Sequence, residues 1–300
     1  MTESVQQTGT PAAASAVPPD HIGQGIAFVL AGMAAMTVMD AAAKWLGAGY
    51  SIILVVFFRN FFAVPPIAAL VWRGGGLASL RTQRPRGHAV RAAFGLGAMF
   101  FFFTGLRFMP LAEAISLAFA APLFVTALSA PILKERVGPH RWAAVIVGFL
   151  GVLVIARPGA EMVRVEALLI LAAALSYALF LLVTRHLART ETTSALIFHS
   201  NTISLAVAAS LLPFGWQTPT GEDLLIFAMM GLVGGFGSYF IAMAYQRAPV
   251  AVLAPFDYTT LLLGALLGWL VWHELPGANV WLGAVILAAC GLYIIRRETR

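Results

Sequence analysis

The sequence predicts an all-α membrane protein: ten transmembrane helices, arranged as two inverted five-helix repeats around a central cavity. Three observations predict it. First, 60% of the 300 residues are hydrophobic and 11% are charged, with a mean hydropathy of +0.86. A soluble domain carries about 25% charged residues, so this chain lacks the polar side chains to cover a water-facing surface. Second, the apolar residues gather into ten runs, most of them near the roughly 20 residues that cross a bilayer. Third, residues 101–157 lie over residues 240–296 without a gap at an offset of 139, with eleven of 57 positions identical. The matches include Pro110/Pro249, Glu135/Glu274, Gly138/Gly277 and Trp142/Trp281. Apolar sequence matches itself by chance, but Pro, Glu, Gly and Trp at one offset point to an internal duplication.

The elements follow in order. Residues 1–21 are rich in Ala, Pro, Thr, Gln and Ser and hold no Lys or Arg. They lack the basic start of a signal peptide and are expected to form a disordered cytoplasmic tail. The runs 22–46, 51–72, 89–108, 110–133 and 140–157 make the first repeat, and 164–187, 193–213, 222–246, 249–272 and 278–296 make the second. Between them stand turn residues such as Gly74–Gly76, Pro158-Gly159 and Pro276-Gly277. The third and fourth runs almost fuse, as do the eighth and ninth; each pair is broken only around Pro110 or Pro249. The boundary between halves, near Pro158–Glu161, is short, so the two repeats, 22–157 and 164–296, read as one body.

Charge tests the count. With the N-terminus in the cytoplasm, the cytoplasmic segments hold fourteen Lys/Arg, five of them in 73–91; the outer segments hold four (Lys44, Arg107, Arg157 and Arg164), and Arg59 lies inside the membrane. That bias obeys the positive-inside rule and puts both termini in the cytoplasm. Five spans per repeat is an odd number, so the second half crosses in the opposite sense, the arrangement that supports alternating access.

Charged groups persist in a bilayer where they face a cavity or a partner. Asp40 and Lys44, spaced i, i+4, share a face of the first helix. Asp40 lies about 9 Å from the outer end, and Arg59 about 12 Å deep from the same side. With Glu113 they are expected to form an outer polar cluster, either as a structural ion pair or as a gate in contact with substrate. Asp257, about 12 Å from the inner side, follows the helix-kinking Pro255 and precedes Tyr258, Thr259 and Thr260. It suits a substrate or proton site, or else caps a broken helix or pairs with Arg185 or His199; together with Arg185 and His199 it is expected to help close the inner side. Asn60, Tyr177 and Tyr239 complete the candidate lining, the aromatics by stacking on a flat organic substrate. Gly231, Gly235, Gly264 and Gly268, four apart, permit close helix contact. Glu135 and Glu274 end matched helices and are expected to bond backbone amides at the start of the next one.

Other classes find little support. The single cysteine, Cys290, allows neither a disulfide framework nor a cysteine metal site, and no His, Cys or acid group has metal-ligand spacing. The sequence holds no P-loop for ATP and no G-x-S-x-G nucleophile, so neither cofactor, metal nor enzyme activity is expected. The net charge of +6 would suggest nucleic acid in a soluble protein. Here the basic residues lie between apolar runs, so membrane orientation explains them and no nucleic-acid partner is expected.

The run Pro131-Ile-Leu-Lys-Glu-Arg-Val-Gly-Pro-His-Arg-Trp142, continuing to Gly148-Phe-Leu-Gly-Val-Leu-Val-Ile155, resembles the end of an EamA repeat, as does the proline-led fourth helix with Pro122-Leu-Phe. That family belongs to the drug/metabolite transporter superfamily. The resemblance spans 22–296 and implies ten helices in inverted halves, a central cavity and ATP-independent secondary transport of a small organic metabolite across a bacterial inner membrane, by a monomer or homodimer contacting lipid. Met39-Asp-Ala-Ala-Ala-Lys-Trp45 and Phe57-Phe-Arg-Asn60 look like a subgroup that takes up riboflavin and S-adenosylmethionine. That similarity places Asp40, Lys44 and Arg59 near the substrate path. Rival readings are export of amino acids or toxic metabolites, and a channel.

Overall fold

A computed structural model describes residues 19–133, 138–156 and 164–298. The expectations for residues 1–18, Glu135, Arg157 and the boundary at Pro158–Glu161 lie outside these. The described residues form thirteen α-helices; nine helical stretches are long and apolar enough to cross a membrane, and the shorter apolar Ala278–Ile294 takes the place of the tenth. α1 (Pro19–Gly49) is the first span; its helix starts inside the stretch expected to be a tail. The second span is α2 (Ile52–Phe62) and α3 (Val64–Arg73), the third is α4 (Pro85–Leu106), and the fourth is α5 (Leu111–Ala118) and α6 (Ala121–Leu133). α7 (Pro139–Ala156), α8 (Val165–Leu187), α9 (Thr193–Leu211) and α10 (Gly221–Tyr245) are the fifth to eighth. α11 (Val250–Asp257) and α12 (Thr259–Trp272) form the ninth, and α13 (Ala278–Glu298) is the tenth.

Local chemistry sets the ends. Ser51, Thr192 and Thr220 accept the amides of Leu54, Ala195 and Asp223 on their side-chain oxygens, the N-cap bond that satisfies one of a helix's orphan donors. Proline opens α4 and α7, where its missing N–H costs nothing. The turn after α3 needs Gly75 and Gly76, at φ of 108° and 66°. His273 takes a left-handed φ of 57° at the end of α12, an unusual conformation for a side chain that carries a Cβ.

Three spans are in two pieces. Pro65 and Pro66 begin α3 and remove donors from the preceding turn. The fourth span breaks at Phe119-Ala120, just before Pro122. The ninth breaks at Tyr258, three residues beyond Pro255, where a kink was expected.

Packing shows the inverted relation. The most extensive contacts are α1 with α10 and α4 with α8. In span numbers these are one with eight and six with three, the same pairing with the halves exchanged. The fifth and tenth spans, α7 and α13, pack on each other, and the fourth meets the ninth through α5 and α12. A single apolar core links both halves, with Leu46, Leu54, Leu106, Leu111, Leu117, Ile170 and Phe227 almost wholly buried. Outward faces are also apolar, among them Ile146, Leu150, Leu262, Leu270 and Val285. Such a surface is at home in lipid, not water.

Glycines set the closest approaches. A Cβ on Gly231 would meet Phe62 and the carbonyls of Phe58 and Arg59, and one on Gly235 would meet Pro66 and Ala63. α10 therefore lies directly against α2 and α3. Gly264 abuts Ile115, but Gly268 has only ordinary contacts, so its place in the four-residue spacing is not one of close approach.

Candidate substrate cavity

A cavity of about 570 Å³ lies between the halves, within the usual size of small-molecule sites. At its closed end α1 supplies Met36, Met39 and Asp40, α2 supplies Arg59, and Phe103 and Ala118 complete the lining; Met99 and Phe102 of α4 and Tyr177 and Phe180 of α8 form its walls. It runs to Ala188 and Thr193, which border the loop between α8 and α9 and are exposed. The cavity thus opens on the face carrying residues 74–84 and 188–192.

The opposite face, carrying residues 47–51 and 273–277, is shut. Lys44 Nζ donates to both carboxylate oxygens of Glu274, at 2.7 and 2.6 Å, and to the Met109 carbonyl at 3.1 Å. Glu274 Oε2 also accepts the amide of Leu111 at 3.3 Å. Lys44 sits over the Trp272 ring, 4.8 Å from its centroid, and Trp45 packs against the same ring. Nearby, Tyr50 donates to Asp223 at 2.7 Å. This clasp joins the first half to the second at the cavity's closed end.

Two arginines reach the cavity and differ in state. Arg91 Nε donates to Thr184 Oγ1 at 2.6 Å, its Nη1 donates to the Leu196 carbonyl and to Ser200 Oγ, and the guanidinium lies 4.2 Å over Phe180. Arg59 Nη1 donates to Asn60 Oδ1 at 3.2 Å, while its Nε is buried with no hydrogen-bond partner among the described residues. Asn60 is fully buried and fixed in turn: its Nδ2 donates to the Val56 carbonyl at 2.7 Å, and its own carbonyl accepts from Asn201. Asp40 attracts Arg59 electrostatically without a direct ion pair.

The residues expected to form one outer cluster therefore divide. Asp40 and Arg59 face the cavity, with Asn60 behind Arg59. Lys44 leaves its i, i+4 neighbour for Glu274, which serves as an ion-pair partner and caps α5 rather than the following helix. Glu113 is buried against Arg164, at 2.9 Å. Hydrogen bonding to Glu166, with the Glu113 carboxylate beside it, holds the Arg164 guanidinium above its ordinary pKa.

The inner-gate group also divides. His199 Nε2 bonds the Leu80 carbonyl at 2.9 Å, and its ring lies tilted against that of His88, centroids 4.6 Å apart. His88 lies 3.4 Å from Glu191, which accepts from Thr82. Asp257, at the break of the ninth span, has a buried Oδ1 with no hydrogen-bond partner among the described residues and lies within electrostatic reach of Tyr177, Tyr245 and Tyr258. Arg185 is exposed in the last turn of α8 and does not line the cavity. Tyr239 is also off the cavity: it accepts from Arg73 at 2.6 Å, and its neighbour Ser238 takes the lining position. Tyr258 stacks on Phe119. Tyr177 lines the cavity and stacks on Phe180, with centroids 5.7 Å apart at 15°.

Sequence reasoning missed Arg91 and Glu274 as site residues. In sequence Arg91 falls at the end of the basic stretch 73–91, yet α4 begins at Pro85 and carries it to the cavity. Proline at a helix start was the available signal. No local signal marks Glu274 as the partner of a lysine 230 residues away.

Residues 23–157 and 164–297 each match the EamA-like transporter family. The chain is 30% identical to the riboflavin transporter of Rhizobium johnstonii, over 95% of each protein. It is 28% identical to the S-adenosylmethionine uptake transporter of Rickettsia prowazekii, over 92% of this chain and 94% of that one. The riboflavin transporter of Vibrio cholerae is also 28% identical, over 93% and 95%. One solved crystal structure matches with a TM-score of 0.63 and 23% identity, over 93% of this chain and 97% of that chain, a likeness that speaks to the fold.

Proposed function

The chain belongs to the EamA-like transporter family, and from that premise we propose that it takes up a flat heteroaromatic metabolite of the riboflavin class by alternating access. It is a multi-pass bacterial membrane protein that carries a small molecule. The finer reading rests on one observation: a cavity between the two halves with aromatic and methionine walls and three charged groups, Asp40, Arg59 and Arg91. The stacked pair Tyr177 and Phe180 offers a ring a face to lie on. Met36, Met39 and Met99 supply soft apolar contact that adapts to shape.

Charge favours a neutral ring over a cation. Two arginines and one aspartate leave the cavity with an excess positive charge. A sulfonium about 6 Å from an unopposed guanidinium costs about 3 kcal/mol at an effective dielectric of 20. Riboflavin avoids that cost and S-adenosylmethionine does not.

In this reading the face with the basic loops is cytoplasmic, as the charge bias implies, and the structure is the inward-open state. Closure of the outer face by Lys44–Glu274 would be exchanged for closure of the inner one during the cycle. A ligand drives such an exchange only through differential interactions with the two states. The experiment is uptake of labelled riboflavin into proteoliposomes. The reading expects saturable flux that accelerates when unlabelled riboflavin is loaded on the far side, the behaviour of a carrier. Flux equal to that of protein-free liposomes would overturn it, and linear, non-saturable flux without acceleration would indicate a channel.

A further inference from the structure

We infer that Asp40 and Arg59 together read one edge of the substrate ring, where a carbonyl adjoins an N–H; the inference rests on the uptake reading above and names the chemistry that the site selects. The cavity's polar groups are mostly occupied. Arg91 is engaged by Thr184, the Leu196 carbonyl and Ser200. The hydroxyls of Thr184 and Ser238 donate to the backbone of their own helices, at Phe180 and Gly234. Arg59 is different. Asn60 holds one end of its guanidinium, and Nε is left buried without a partner among the described residues. Asp40, the one carboxylate in the lining, accepts no hydrogen bond among the described residues and stands apart from Arg59.

An unmade bond to a buried polar group is costly, and a donor beside an acceptor on one wall is the complement of a ring edge with C=O next to N–H. Such an edge receives on its carbonyl an N–H from the part of the Arg59 guanidinium that lines the cavity, and donates its own N–H to Asp40, both in the plane of the ring. An imide or lactam ring supplies both groups. A plain aromatic ring supplies neither, and an alkylamine supplies one. The walls agree: Gly95 and Ala98 leave α4 smooth beside Met99 and Phe102, so a planar ring can reach the two polar groups edge first.

The test is calorimetric titration of the purified full chain with three flavins. N3-methylriboflavin lacks the imide N–H but keeps its carbonyls, and 5-deazariboflavin keeps the whole imide edge. Methylation removes one hydrogen bond to a charged group and should weaken binding by about 10- to 100-fold. The deaza compound should bind within about threefold of riboflavin. In Asp40→Ala the penalty for methylation should vanish, because the acceptor it deprives is gone. Equal binding of riboflavin and its N3-methyl derivative to the wild type would overturn the inference and leave the uptake reading standing. Survival of the full gap in Asp40→Ala would do the same. No binding of any flavin to the wild type would overturn both. The wild-type comparison needs no variant to fold.

Discussion

Phe119 and Tyr258 stack ring on ring, with centroids 4.7 Å apart and planes at 21°, and their separation of 139 positions is the offset that relates the two repeats. They are equivalent positions in the two halves, each at the break of its span: Phe119 after α5, Tyr258 between α11 and α12. Equivalent residues that touch straddle the pseudo-two-fold axis. The break in the fourth span is thus the counterpart of the break in the ninth, and the two meet on that axis.

The tip of Tyr258 also explains Gly291. A Cβ on Gly291 would collide with the Tyr258 hydroxyl, while the ring carbon behind it is 3.4 Å away, at ordinary contact. Gly291→Ala should therefore destabilise the protein by about 1–3 kcal/mol, the usual cost of overpacking. Tyr258→Phe in the same chain should recover most of it. Unfolding in mixed micelles measures both, and a double variant no better than Gly291→Ala would refute the contact.

The clasp at the shut face should respond to charge exchange. Lys44→Glu leaves two carboxylates facing each other and should lower transport at least tenfold, since truncating one partner of a part-buried pair commonly costs 2–5 kcal/mol. Adding Glu274→Lys should restore much of the activity. A second readout is labelling of Ala98→Cys, in a Cys290→Ala background, by an impermeant thiol reagent. In substrate-free vesicles the wild-type clasp predicts faster labelling from one face than from the other, and Lys44→Glu should raise the rate from the slower face.

Arg91 is expected to resist conservative replacement. Its planar fork serves Thr184, Leu196 and Ser200 at once, and it lies against Phe180. A lysine offers a point charge in place of that geometry. Arg91→Lys should lose roughly 1.5–3 kcal/mol of stability, the scale of one charged hydrogen bond, seen as a lower melting temperature in detergent. A melting curve unchanged from wild type would show that the bonds contribute nothing net.

The glycines of the four-residue spacing should separate. Gly231→Ala would press on the carbonyls of Phe58 and Arg59, at 2.9 and 3.0 Å from the added carbon, and move the helix that carries Arg59. Both stability and substrate affinity should fall. Gly268 is buried, but a Cβ there meets nothing nearer than 3.6 Å, so Gly268→Ala should be neutral or stabilising by up to about 1 kcal/mol, as where a helical glycine's backbone suits alanine. Flavin titration and melting on both variants decide the matter.

The fold was legible because lipid demands long apolar runs and the duplication left its offset in Pro, Gly, Trp and Glu. The site was legible in part. Depth along a helix is readable from sequence, and it brings Asp40 and Arg59 to similar levels; both line the one cavity. Azimuth is not, so Lys44 and Glu113, at similar depth, were grouped with them although each turns to another partner. Tyr177 was anticipated as a stacking surface, whereas Tyr239, one residue from the lining Ser238, points to Arg73. The breaks at Ala63 and Phe119 were hidden because a proline marks a weakened turn without naming which residue yields. Contacts between the halves, such as Lys44 with Glu274, arise only once both are folded together.

That last pairing has a consequence for cutting the chain. The lysine of the seal belongs to one half and its glutamate to the other, so neither fragment, expressed alone, can shut its own end against leakage. Two separate polypeptides divided between the fifth and sixth spans should each insert in the membrane yet regain tightness only when made in the same cell. Two halves related by one offset are thus sealed by a contact that neither carries alone.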